Sequence, residues 1–203
     1  MVDIRVLGRI EARADDGSEI SLGRERIRAV LGMLALGSPE MVTSDEIIDA
    51  LWGESDTAKP ESALQMSVSR LRTALGEDVI ETTAGGYRLT LDEASVDLGR
   101  FRAFIRRGKQ MSALGQHQAA TEALSQALRE WRGPPLSDVR RFDSVERASR
   151  RLEEERMAAA EELVESQLDS GREADAITEL TGLVEVSPYR ERLWQMLMLA
   201  LYR

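Results

Sequence analysis

The stretch SALQMSVSRLRTALG, residues 62–76, holds two arginines and no acid in a chain that is acidic as a whole. Leu64, Val68, Leu71 and Leu75 fall at helical spacing. With these four turned inward, the helical wheel puts Ser62, Met66, Ser69, Arg70 and Thr73 on the outer side. The residue types suit base and phosphate chemistry. Arginine bonds guanine bidentately, glutamine bonds adenine, and an apolar side chain meets a thymine methyl. Gln65 suits adenine or phosphate, and its chemistry alone does not choose. Met66 is a core filler if the helix is rotated, but the apolar stripe lies opposite it. Arg70 and Arg72, taken alone, also suit a solvated helix face. Arg72 lies nearer the flank, where an arginine holds phosphate.

Other reactive chemistry is thin. The chain has no cysteine, which excludes disulfides and cysteine-based metal sites or nucleophiles and is compatible with a reducing cytoplasm. His117 is the only histidine; it makes no triad or metal cluster alone. Gly85-Gly86 suits a hairpin tip better than a phosphate loop, since neither G-x-G-x-x-G nor a P-loop lysine motif is present. With no nucleophile–base set, no metal cluster and no nucleotide loop, an enzyme is not expected, and neither is a cofactor. No apolar run approaches the ~20 residues of a membrane span, and no signal peptide opens the chain. A cytoplasmic protein without membrane contact is expected.

The 203 residues carry a net charge of −9. Residues 1–91 hold 10 basic and 16 acidic side chains, and residues 92–203 hold 17 and 20. Neither half is basic, so contact with nucleic acid must use a confined surface. Residues 62–73, at +2, are the best candidate.

The elements around this stretch predict its placement. Alternation from Val2 to about Ile10, the turn DDGSE and the short EISL segment predict a small antiparallel sheet. Residues 23–36 switch to helical period, with Ile27, Val30, Leu31 and Leu34 on one face. Thr43 with Glu46 forms a capping-box pattern opening a helix to Gly53. A loop over 54–59 follows, and Pro60 suits the first turn of the third helix. Residues 79–91 read as a hairpin with its tip at Ala84-Gly85-Gly86. Strands, three helices and a hairpin in this order make a winged helix-turn-helix.

From Asp97 onward the pattern is helical throughout. Asp97 is placed as the cap of a helix that turns Leu98, Phe101 and Ile105 inward. GQHQAATEALSQAL (115–128) echoes GREADAITELTGLV (171–184), with Gly115, Ala120 and Leu124 matching Gly171, Ala176 and Leu180. Such an echo predicts stacked helical hairpins of tetratricopeptide type, spaced more widely than the usual ~34 residues. The run RLEEERMAAAEEL reads as a solvated, ion-paired face. The last helix, around Leu193 to Leu201, is apolar nearly all round and needs neighbours on several sides. From this the polypeptide is expected to continue, or another chain to cover this helix.

LGRIEA, LW, ALQMSVSRLRTALG and IETTAGGYRL resemble the OmpR-type winged helix, and VDLGRFRAFI with the repeats after it resembles the bacterial transcriptional activator domain. Together they are similar to the Streptomyces antibiotic regulatory protein family, over nearly the whole chain. The resemblance implies a mostly α fold with a small β part. A winged helix-turn-helix DNA-binding domain takes residues 1–92, and an all-α tetratricopeptide-like activator domain, truncated at its C-terminus, takes 97–203. The piece 1–91 carries its own strands, helices and hairpin and is expected to fold alone. The family's third helix lies in the major groove, which implies groove or phosphate contacts for Ser62, Gln65, Met66, Ser69, Arg70 and Arg72. Trp52 matches a position whose indole N–H reaches a phosphate; by its chemistry it is also a core residue. The family's wing meets the adjacent minor groove, which implies DNA contacts for Thr83 and Arg88; the broader OmpR type often has an arginine where this chain has Thr83, a departure that turns Arg88 to the DNA backbone.

The implied function is a sequence-specific transcriptional activator of a secondary-metabolism pathway. It would bind double-stranded DNA at direct repeats near the −35 region as a dimer and contact RNA polymerase. The alternative is a helical-repeat scaffold for protein partners whose winged helix does not bind DNA, with which the acidic charge agrees.

Overall fold

The structure, a computed structural model, describes residues 2–53 and 59–203. The expected loop over 54–59 thus lies almost wholly outside the described residues. The chain divides into two compact units: Met1–Arg100 with Glu130–Glu153, and Phe101–Arg129 with Glu154–Arg203.

In the first unit, β1 (Asp3–Arg5) pairs antiparallel with β2 (Glu11–Arg13). Ile4 faces Ala12 across the pair, and both are fully buried. Helix α1 (Glu25–Gly37) buries Ile27, Val30, Leu31 and Leu34, the predicted face. Helix α2 (Ser44–Trp52) opens on the predicted capping box. The Glu46 N–H donates to Thr43 Oγ1 at 3.2 Å, and the Thr43 N–H donates to Glu46 Oε2 at 2.9 Å. Two donors that the first turn would leave unpaired are thereby satisfied.

Helix α3 (Pro60–Leu75) has proline in its first turn, where a missing N–H costs nothing. It stops at Gly76, whose φ of +114° a side chain would resist. A three-stranded sheet follows in the order β3–β5–β4, from β3 (Val42–Thr43), β4 (Ile80–Thr83) and β5 (Gly86–Leu89). β3 is too short to show in the sequence pattern. Gly86 sits in β5 rather than in the turn, and a Cβ there would come 2.2 Å from the Val42 carbonyl oxygen. Glycine is what lets β3 lie beside the hairpin.

Helix α4 (Asp97–Ala113) begins in the first unit, and its opening residue departs from expectation. Asp97 does not act chiefly as the cap of its own helix. Its buried carboxylate accepts from the backbone N–H of Val6 at 2.8 Å and of Leu7 at 2.9 Å, as well as from Leu98. Arg132 Nη2 donates to it at 3.3 Å. Burial pushes this carboxyl above its ordinary pKa, against the pull of the two N–H groups and Arg132.

Residues 130–153, assigned by the sequence to the helical domain, pack within this first unit. The N–H groups of Arg132, Leu136 and Ser137 donate to the carbonyls of Leu7, Val6 and Gly8. Asp138 accepts from the Ile10 N–H at 3.0 Å and from Arg28 Nε at 2.5 Å. Leu136 is fully buried at φ +55°, a strained value for a leucine. Its seat is Gly32 of α1, where a Cβ would meet Ile10 at 2.9 Å and Leu136 at 3.2 Å.

The second unit holds the rest of α4, α5 (His117–Arg129), the later part of α6 (Asp143–Asp169), α7 (Glu173–Val186) and α8 (Glu191–Tyr202). The sequence echo has a geometric counterpart. Gly115 and Gly171 adopt φ of +72° and +73°. The N–H after each reaches back five residues, Gln116 to Met111 and Arg172 to Gln167, both at 2.9 Å. This is the same left-handed glycine stop at the end of two helices. Ala120, Leu124, Ala176 and Leu180 are all fully buried. Gly108 lets α4 approach α5, since a Cβ there would lie 2.7 Å from Leu124. Buried Glu161 on α6 pairs with Arg190, which also reaches Glu154 at 2.8 Å. Helix α8 buries Leu193, Met196 and Ala200 and exposes Trp194, Met198 and Leu201.

Candidate nucleic-acid interface

Helix α3 is held from one side. Leu64, Val68, Leu71 and Leu75 are buried, and α1 and α2 pack against the helix. The rotation predicted from the apolar stripe is the one observed. Ser62, Gln65, Met66, Ser69 and Arg70 are all exposed, with Met66 at 57%. Arg70 carries no hydrogen bond or ion pair among the described residues.

Arg72, in contrast, bonds within the fold. Its Nε and Nη2 donate to the Ile80 carbonyl at 2.9 and 2.7 Å, and Nη2 also donates to Thr82 Oγ1 at 2.8 Å. The guanidinium joins α3 to β4 through Nε and Nη2, which are thereby used within the fold. The spacing of the sequence put Arg72 on a phosphate-holding flank, and that flank is where the hairpin packs.

The wing is quiet electrostatically. Arg88 is exposed but lies directly across from Glu81, which it meets at 2.5 Å. Thr83 donates to Met41 Sδ at 3.1 Å.

Trp52 is only 4% exposed, which fits the core alternative better than the phosphate one. Over its ring, 5.1 Å from the centroid, lies the guanidinium of Arg26. Arg24, Arg26, Trp52, Met66 and Arg70 line one cleft of about 280 Å³. Among the described residues, no acid lines it. Arg24 and Arg26 were not legible as site residues. Only the packing of α1 against α3 brings them beside Met66 and Arg70.

Met66 is thus a surface methionine. Met66→Ala is expected to change stability by less than about 0.5 kcal/mol and to lose discrimination at one A·T pair. Thermal melts and a base-substitution scan together check this. A large fall in melting temperature with unchanged base preference would return Met66 to the core.

Among the described residues, no three His, Asp or Glu side chains converge to hold a metal, and no helix is long and apolar enough to cross a membrane.

Residues 17–89 match the family model "Transcriptional regulatory protein, C terminal", and residues 96–203 match "Bacterial transcriptional activator domain". The chain is 36% identical over 207 residues to the transcriptional regulatory protein EmbR of Mycobacterium tuberculosis, covering 99% of this chain and 53% of EmbR. It is 35% identical to MoaR1 of the same species, over 99% of this chain and 67% of MoaR1. To the regulatory protein DnrI of Streptomyces peucetius it is 32% identical, over 100% of this chain and 78% of DnrI. A solved structure of Mycobacterium tuberculosis EmbR, in complex with a low-affinity phosphopeptide, superposes with a TM-score of 0.93 over 99% of this chain and 54% of that one. The chain thus spans about half the length of EmbR. An OmpR-type winged helix followed by an activator domain, with relatives that are regulators rather than enzymes, places this chain in the Streptomyces antibiotic regulatory protein family of transcriptional regulators.

Proposed function

We propose that this regulator binds DNA sequence-specifically through the outer face of α3 and activates transcription. The observation that carries the reading is that face itself. Ser62, Gln65, Met66, Ser69 and Arg70 are exposed together, beside a cleft that no acid lines among the described residues, on a protein whose net charge is −9. An acidic surface elsewhere repels DNA, so attraction is confined to the reading face. One winged domain contacts a short site, and specificity grows when two copies occupy neighbouring direct repeats. Binding as a dimer on repeats near the −35 region, contact of the helical half with RNA polymerase, and a cytoplasmic role in a secondary-metabolism pathway complete the proposal.

The test is fluorescence anisotropy of the purified chain on promoter fragments over a salt series. Affinity is expected to fall steeply with salt, by about tenfold or more between roughly 50 and 200 mM, because phosphate contacts release counterions. Affinity that hardly changes with salt would instead favour the protein scaffold reading.

A further inference from the structure

We propose that the cleft between α1 and α3 receives one backbone phosphate of the DNA, with Arg26 as the residue that holds it. This rests on the reading of α3 as the DNA-binding helix.

Three arginines, Arg24 just before α1, Arg26 on α1 and Arg70 on α3, line this cleft, with no carboxylate among the described residues of its walls. Like charges gathered in this way repel one another and are stabilised by an anion placed between them. Arg24 and Arg70 are exposed, on flexible stems. Arg26 is different. Its guanidinium lies 5.1 Å from the ring centroid of Trp52 and 5.8 Å from that of Phe142. Its Nε is buried and has no hydrogen-bond partner among the described residues. Two aromatic rings hold the group by cation–π attraction, which uses its faces and leaves its terminal N–H donors for a ligand. The arrangement reduces the conformational entropy lost when the ligand binds.

A second concavity, this one bearing carboxylates, is also lined by Arg26, together with Asp49, Asp143, Arg141 and Arg147. Arg141 there is already paired with Glu25 at 2.8 Å and lies 4.9 Å from the Phe142 ring. The mixed charges of that concavity do not favour an anion, and the arginine-lined cleft does. Phe142 belongs to the segment 130–153, so part of the activator-domain sequence positions a residue of the DNA-binding surface without touching DNA.

A phosphate contact fixes register and carries no base information. Arg26→Gln is therefore expected to weaken binding about tenfold on the preferred site and on random duplex alike, and to lower the salt slope by about one. Phe142→Leu is expected to weaken binding in the same uniform way, and to add little in an Arg26→Gln background. Arg24→Gln serves as the second variant if Arg26→Gln melts early. Unchanged affinity in folded Arg26→Gln and Arg24→Gln overturns the proposal while leaving the α3 reading intact. A loss confined to one base position overturns it too, since Arg26 would then read a base. Wild-type protein that binds no DNA removes the underlying reading and this inference with it. An arginine-dependent grip on a phosphoserine peptide with none on DNA would assign the cleft to a phosphoprotein instead.

Discussion

Asp97→Ala is expected to destabilise the first unit by about 3–5 kcal/mol, the range for removing one partner of a buried, hydrogen-bonded charge. The Asp97 side chain is 1% exposed. It satisfies the N–H groups of Val6 and Leu7, two residues that are themselves fully buried. Alanine leaves both donors unpaired in a place water does not reach, and it leaves Arg132 without this partner. Arg132 keeps Glu11 at 3.3 Å, which offsets part of the loss. Urea unfolding followed by circular dichroism measures the change. A loss under about 1 kcal/mol would mean that water replaces the carboxylate, and that the strands β1 and β2 do not depend on α4.

Arg70→Ala is expected to cost about 1–3 kcal/mol of binding to the preferred site, concentrated at one base pair. Its stability should change little, because Arg70 is exposed and bonds to nothing described in the fold. The contrast with Arg26 is the informative part. Loss at one position marks a residue that reads a base edge, whereas uniform loss marks one that holds the backbone. A base-substitution scan with the two variants side by side separates these roles. Binding by Arg70→Ala equal to wild type on the natural promoter would remove Arg70 from the reading face.

What was legible in the residues is what short-range physics sets. The Thr43–Glu46 cap, Pro60 in the first turn of α3 and Gly76 at its end are local, each decided within about one helical turn. So is the rotation of α3, because Leu64, Val68, Leu71 and Leu75 admit only one buried side. The echo of 115–128 in 171–184 carried through to matching left-handed glycines, since that helix stop depends on a single backbone angle.

The rest was settled by contacts between residues far apart in the chain. Asp97 has the look of a helix cap, yet its main partners lie 90 and 91 positions earlier. A boundary drawn at residues 92–97 separates Val6, Leu7 and Ile10 from their own acceptors and donors at Asp97, Leu136 and Asp138. The pattern from Asp97 onward reads as helical throughout, yet residues 131–138 form neither helix nor strand, because they bond to the N-terminal strands' connection rather than to a regular neighbour. Arg70 and Arg72 are two positions apart and chemically identical. One faces outward and the other clamps Ile80 and Thr82, a difference made by where the hairpin folds back. Arg26 joined the candidate site for the same reason: spacing along a helix assigns its faces, but only packing decides what each face meets.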